Sequence, residues 1–280
     1  MSIQSQNNPV PIISLTTDFG QKDGYVGAMQ GVILSICPRA VITTLSHDIP
    51  AQDVQTAAFV LYQACDYYPP QAVHCVVVDP GVGSERRAVA VATSHGTFVG
   101  PDNGVFSLVL SAGQVDVIAA VSLTNPAYQR PAVSATFHGR DIFAPAAAHL
   151  AAGVPLAELG PPANDLVQLE FIAKSRQEDR QHAGRVIHID RFGNIILDLT
   201  GADITDPRRI RFKVGDRLIE SLSYTFADVA EGEVLAYVGS TRDHIAIALR
   251  NGNAARTLGI QLGDTIEISY GEKAIENCEA

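Results

Sequence analysis

Two short apolar runs, residues 11–15 and 41–45, are bounded by polar turns, the pattern of strands buried on both faces. Between them Tyr25, Met29, Val32, Ile33 and Ile36 recur at helical spacing, and Pro38 closes the segment. A second helix is predicted from Gln52 to about Tyr67, with Val54, Ala57, Ala58, Leu61 and Cys65 on its inner face. Residues 72–78 form the most strand-like run in the chain. A third helix follows the Asp102-Asn103-Gly104 turn, and a fourth runs from Asp141 to Ala151. Strand and helix in alternation predict a layered α/β domain with a mainly parallel sheet over residues 1–162.

The pattern then changes. Residues 163–183 carry a charged stretch without apolar period, KSRQEDRQ at 174–181, and read as a linker. From 184 to 280, short alternating runs at 185–189, 195–199, 210–214, 245–249 and 265–269 are punctuated by glycines. That pattern predicts a small antiparallel β-barrel domain.

Composition narrows the functional classes. Of the 280 residues, 46% are hydrophobic and 18% charged, which is ample for packed cores. A formal charge of −10 with no basic run argues against a nucleic-acid partner. No apolar run reaches membrane-spanning length, and the first eleven residues are polar, so neither a membrane partner nor a secretory signal is expected. The four cysteines, Cys37, Cys65, Cys75 and Cys278, lie far apart with no C-x-x-C pair, which suits a reducing cytoplasm.

In parallel sheets ligands bind beyond the carboxyl ends of the strands, and three acid-bearing loops fall there: 16–20, 46–48 and 79–87. Asp18 reads equally as a helix cap or as a carboxylate accepting both hydroxyls of a ribose. Asp79 opens a glycine-rich turn, and Arg86 or Arg87 can return to it as an ion pair. His138, just before a helix start, supplies a third polar group. Together Asp79, Arg86 and His138 can hold and polarise a water molecule. No serine or cysteine sits in a G-x-S-x-G context, so solvent is the expected nucleophile. The rival is a two-metal hydrolase built from Asp18, His47, Asp48, Asp79, Asn103, His138 and Asp141. Against it stand the absence of H-x-H, H-E-x-x-H and D-x-D patterns and a guanidinium that repels cations. The expectation is therefore no metal and no cofactor. In the second region, polar loops at 190–194, 239–242 and 250–254 are consistent with ordinary turn chemistry.

As an ordered set, TTDFG at 16–20, SICP at 35–38, DPGVGSERR at 79–87, GPDNG at 100–104, TFHGRDIFAPAAAHLAAG at 136–153, DRFGN at 190–194 and GNAA at 252–255 resemble the S-adenosylmethionine (SAM) hydroxide adenosyltransferases. These are relatives of the SAM-dependent fluorinases and chlorinases. The resemblance implies an N-terminal α/β domain, a C-terminal β-barrel and a homotrimer, with SAM bound where one subunit's large domain meets a neighbour's small one. It assigns Asp79, Arg86 and His138 to water activation and Asp18 to the ribose hydroxyls. Asp190 and Asn194 would contact the rest of SAM, Ser240 and Arg250 further ligand positions, and Asn253 and Ala254 the adenine. The halogenating relatives carry other residue types at the positions of Asp79, Val82 and Gly139, where hydroxyl side chains help hold halide, and an inserted loop after the arginine. Here Arg87 runs straight into residues 88–93, which favours water over halide. The implied reaction is hydrolysis of SAM to adenosine and L-methionine by attack at C5′, with SAM as substrate rather than cofactor. A SAM or adenosine sensor with negligible turnover, and a metal-dependent nucleotide hydrolase, are the alternatives.

Overall fold

The computed structural model describes residues 9–111, 115–169, 183–240 and 242–271. The chain divides into two compact units, Met1–Ile172 and Ala173–Ala280. In the first, the most apolar run becomes an inner strand. Strands β1 (Ile12–Thr17), β2 (Val41–Ser46), β3 (Val73–Val77), β4 (Ala88–Thr93), β5 (Gly96–Pro101) and β6 (Val117–Ser122) form one sheet in the order β2-β1-β3-β5-β4-β6. The pairs β1–β2, β1–β3 and β3–β5 are parallel, whereas β4 runs antiparallel to both β5 and β6.

Helices α1 (Tyr25–Ile36) and α4 (Ala144–Ala151) cover one face, where Met29, Ile33, Ala144 and Ala147 pack on Val73, Cys75 and Val77. Helices α2 (Val54–Ala64) and α3 (Ser107–Ser111) pack on the other, with Ala57, Leu61 and Val109 against Val76 and Val78. Two covered faces explain why β3 carries no alternation. One reading of the pattern needs correction: the run at 41–45 is not buried on both faces. It forms edge strand β2, paired to β1 alone, and Val41 is 48% exposed.

Two helix starts also differ from the pattern. Gln52 has φ 67°, so α2 begins at Val54, capped by the Asp53 carboxylate accepting from the Thr56 N–H at 2.8 Å. The helix predicted from Asp141 opens instead as a π-helical turn, Gly139–Phe143, before α4. Pro145 gives the reason. It has no N–H for the Asp141 carbonyl, and that carbonyl accepts from the Arg130 N–H at 3.0 Å.

The opening of the stretch read as a linker is tied to the first sheet. Ala163 N–H donates to the Ala120 carbonyl at 2.9 Å and Val167 N–H to Asp102 Oδ1 at 2.8 Å. Residues 170–182, the rest of that stretch apart from Ala183, lie outside the described residues, as does Cys278.

The second unit is a nearly closed, barrel-like sheet. Strands β7 (Ala183–Ile189), β8 (Ile195–Thr200), β9 (Ile210–Val214), β10 (Arg217–Ile219), β11 (Leu222–Ser223), β12 (Val234–Val238), β13 (His244–Leu249) and β14 (Thr265–Tyr270) run in the order β10-β9-β14-β7-β8-β13-β12-β11. All pairings are antiparallel except β11–β12. Alternate residues Ile195, Leu197 and Leu199 point inward with Val186, Phe212 and Ile247, and a short helix α5 (Ala254–Leu258) adds Ala254 and Ala255 to that core.

Candidate active site

Adjacent parallel strands deliver two carboxylates to one edge of the first sheet. Asp18 follows β1, and Asp79 lies two residues after β3. The loop from Asp79 folds through two tight turns, with Val82 N–H donating to the Asp79 carbonyl at 3.2 Å and Ser84 N–H to the Gly81 carbonyl at 3.0 Å. Gly83 has φ 77°, and a Cβ there would lie 2.5 Å from the Ala135 carbonyl oxygen. That close approach, open only to glycine, presses the loop against the segment leading to His138.

Three polar side chains converge as a result. Arg86 Nε donates to Asp79 Oδ1 at 2.8 Å, and its Nη2 donates both to Asp79 Oδ2 and to His138 Nδ1, the latter at 2.7 Å. The guanidinium also lies over the Phe143 ring, 5.2 Å from its centre. The pair is well covered, with side-chain exposures of 10% for Arg86 and 5% for Asp79. Arg87, the other candidate for Asp79, turns away to Asp102 at 2.5 Å and Asp165 at 2.7 Å.

The contact with His138 fixes a tautomer. A guanidinium has no acceptor, so Nδ1 must accept and the neutral ring carries its proton on Nε2. Burial, and then the Arg86 charge, hold the His138 pKa below its usual value despite Asp79 and Asp141.

Asp79 and His138, both bonded to Arg86, line a cavity of about 380 Å³ that also takes in Asp18, Gln52, Tyr25 and Phe137. Phe19, Tyr25 and Phe137 form an edge-to-face cluster on its wall, with ring centres 5.3–5.9 Å apart. Asp18 Oδ2 accepts from the Gln52 N–H at 2.8 Å, and its loop is anchored by the Gly20 N–H donating to the His47 carbonyl at 2.8 Å. Sequence reasoning missed Gln52, Phe19, Tyr25 and Phe137. The aromatic residues sit beside or near the motif aspartate and histidine, which was the available signal.

The metal alternative meets donors that are already engaged. His47 bonds Thr17 Oγ1 through Nδ1 at 2.9 Å and Thr44 Oγ1 through Nε2 at 3.1 Å. Asn103 donates to the Val78 carbonyl at 2.9 Å, and Asp141 accepts two bonds from Arg140 at 2.7 and 2.8 Å. Among the described residues, no group of three or more His, Cys, Asp or Glu is arranged to hold a metal ion.

In the second unit, Asp190 and Asn194 belong to one turn: Asp190 Oδ1 accepts from the Phe192 and Asn194 N–H groups at 2.9 Å, and Oδ2 from the Asn194 amide at 2.8 Å. Gly193, at φ 85°, allows Asn253 to pack where a Cβ would stand 2.1 Å from its side chain. Asn253 then caps α5 by accepting from the Arg256 N–H at 2.8 Å, and Ala254 is buried. A cavity of about 570 Å³ is lined by Asn194 and Asn253 with Phe192, Phe226, Leu249 and Arg256. Asp190 and Ala254 adjoin it through Asn194 and Asn253 without lining it, and two further candidates do not line it either. Ser240 lies exposed in the turn after β12, and Arg250 Nη1 donates to the Val229 carbonyl at 2.5 Å. Phe226, 43% exposed, was missed; the Thr225-x-x-Asp228 capping spacing that marks its turn was the available signal.

Known proteins align with both units. A family model described as SAM hydroxide adenosyltransferase N-terminal domain matches residues 13–160, and its C-terminal counterpart matches residues 184–267. A Salinispora tropica protein named (R)-S-adenosyl-L-methionine hydrolase is 44% identical over 266 residues, covering 94% of this chain and 99% of that one. A fluorinase from Nocardia brasiliensis is more distant, 26% identical over 302 residues that cover 95% of this chain and 99% of its own. A crystal structure of an uncharacterized conserved protein from Thermotoga maritima matches with a TM-score of 0.80 at 34% identity, over 92% of this chain and 100% of that one.

Proposed function

The chain belongs to the SAM hydroxide adenosyltransferase family, and from that premise we propose that it hydrolyses SAM to adenosine and L-methionine, with water attacking the ribose C5′. The observation that carries the reading is the Asp79–Arg86–His138 cluster, in which Arg86 bonds the two residues, Asp79 and His138, that line the cavity also holding Asp18.

The chemistry asks little of the protein at the leaving group, because C–S cleavage expels methionine as a neutral thioether and needs no acid. The task lies with water, whose pKa in bulk is about 15.7. In this proposal the His138 Nε2–H and the Arg86 charge stabilise the oxygen as it loses its proton. Asp79 keeps lone pairs beyond those that bind Arg86, and it takes the proton. Proton loss to Asp79 accompanies C–O bond formation rather than preceding it, so free hydroxide never forms and an ordinary carboxylate is base enough. His138 is thus a donor rather than the proton acceptor that the sequence alone left open. Asp18 accepts the ribose hydroxyls.

Water is favoured over halide by Gly139. A Cβ there would lie 3.2 Å from Val77 and 3.3 Å from the Met29 sulfur, so a hydroxyl-bearing residue would require both to shift. No metal or cofactor enters the mechanism, and the relatives' name extends the proposal to the R configuration at sulfur.

Incubation of EDTA-treated protein with epimerised SAM in ¹⁸O-water tests all three points. Adenosine labelled at the 5′ oxygen, with the R epimer consumed first, is the expected result. Unlabelled adenosine, or activity only after a divalent metal is added, would overturn it. A homotrimer in the cytoplasm is part of the same proposal. No helix among the described residues is long and apolar enough to cross a membrane.

A further inference from the structure

Gln52 occupies backbone space that side-chain-bearing residues avoid. Four non-glycine residues among those described have positive φ, and Gln52, at 67°, is the one in the first unit. The others are Asn251 and the turn neighbours Arg242 and Asp243; asparagine and aspartate tolerate this region better than glutamine does. The conformation has a purpose. It aims the Gln52 N–H at Asp18 Oδ2, 2.8 Å away, while the next residue starts the cap of α2. Glycine would serve that backbone role without strain, so the geometry alone does not account for a glutamine. Its side chain is exposed, it lines the cavity beside Asp18, and no described residue engages its amide.

We propose that Gln52 is a specificity-determining residue whose side-chain amide, with Asp18, recognises the vicinal hydroxyls of a ribose. The inference rests on reading the cavity as the nucleoside site. A hydroxyl is donor and acceptor at once, whereas a carboxylate only accepts. Held by Asp18 alone, a diol would keep unpaired lone pairs inside the cavity. The two N–H groups of the Gln52 amide supply the missing donors, and a nucleoside that lacks one hydroxyl leaves both protein groups short of a partner.

Calorimetry on the full chain with adenosine, 2′-deoxyadenosine and 3′-deoxyadenosine tests the pairing in wild type, Q52A and Q52G. The wild type should prefer adenosine over at least one deoxynucleoside by roughly tenfold or more. Q52A should weaken adenosine binding about tenfold and shrink that preference by the same factor. Q52G keeps the N–H bonded to Asp18 and relieves the strain, so it should melt no lower than wild type yet show the same loss. Unchanged adenosine binding in Q52A, or equal weakening of all three nucleosides, would overturn the proposal. The expected pattern without SAM cleavage would sink the hydrolase reading and leave the diol contact standing. Cleavage with unaltered selectivity in both variants would do the reverse.

Discussion

A single donor rule sets the chemistry of His138. Because Arg86 can only donate, the ring's Nδ1 is committed as acceptor and its Nε2–H is left to the cavity. Protonation would put a second donor and a second charge against the guanidinium. Its pKa is held below 6.5 by burial and then by Arg86, so the neutral form dominates at pH 7 and is lost only as the pH falls below 6.5. We therefore expect kcat/KM for SAM to fall on an acid limb with its midpoint below 6.5. His138→Ala should lower kcat by about 10²-fold or more, bind adenosine normally and lack that limb. A midpoint above 6.5, or a limb that survives in the variant, would remove His138 from the mechanism. The spacing supplied all three polar residue types but did not choose between Arg86 and Arg87, a choice that only the family resemblance made. Neighbours in extended chain point to opposite sides, and here one reaches Asp79 while the other reaches Asp102.

Among the elements, β3 shows what double burial costs a polar residue. His74 lies in it with no exposed surface, stacked 5.1 Å from Phe98, with Nδ1 2.7 Å from Ser14 Oγ and Nε2 without a partner among the described residues. Burial pushes its pKa down to about 4 from 6.5. The unfolded chain therefore binds this proton more readily, and stability present above pH 6.5 is lost as the pH falls toward 4. The full linkage is roughly 3 kcal/mol. Melting curves from pH 7 to pH 4 should show that loss, and His74→Phe should flatten it; an unchanged pH slope in the variant would count against this account. Elsewhere the element scale escaped the sequence. β5 contains Gly96, Gly100 and Pro101, which read as breakers, yet a Cβ on Gly100 would lie 2.5 Å from the Val76 carbonyl. Glycine there permits close strand approach rather than ending a strand. The π-helical turn before α4 was equally hidden, since it depends on Arg130 reaching the carbonyl that Pro145 leaves unpaired.

At the scale of the whole molecule, a chain of −10 formal charge folds as two units, each with its own core and its own cavity. The proposed homotrimer predicts about 90 kDa by light scattering from a 29.8 kDa chain, and a mass near the monomer's at micromolar concentration would discard it. The sequence by itself determined the class of each unit. Doubly buried strands need unbroken apolar runs and barrel strands need alternation, so β3, β8 and β9 were visible with little error in their ends. It also determined which loops carry acids, because polar residues interrupt those patterns sharply. Only the tertiary structure decided the antiparallel turn of β4, the partner of Asp79, the placing of Ser240 and Arg250 outside the second cavity, and the strained Gln52 beside Asp18. Each of these depends on groups brought together by strand order and loop packing, and such contacts have no fixed spacing along a chain.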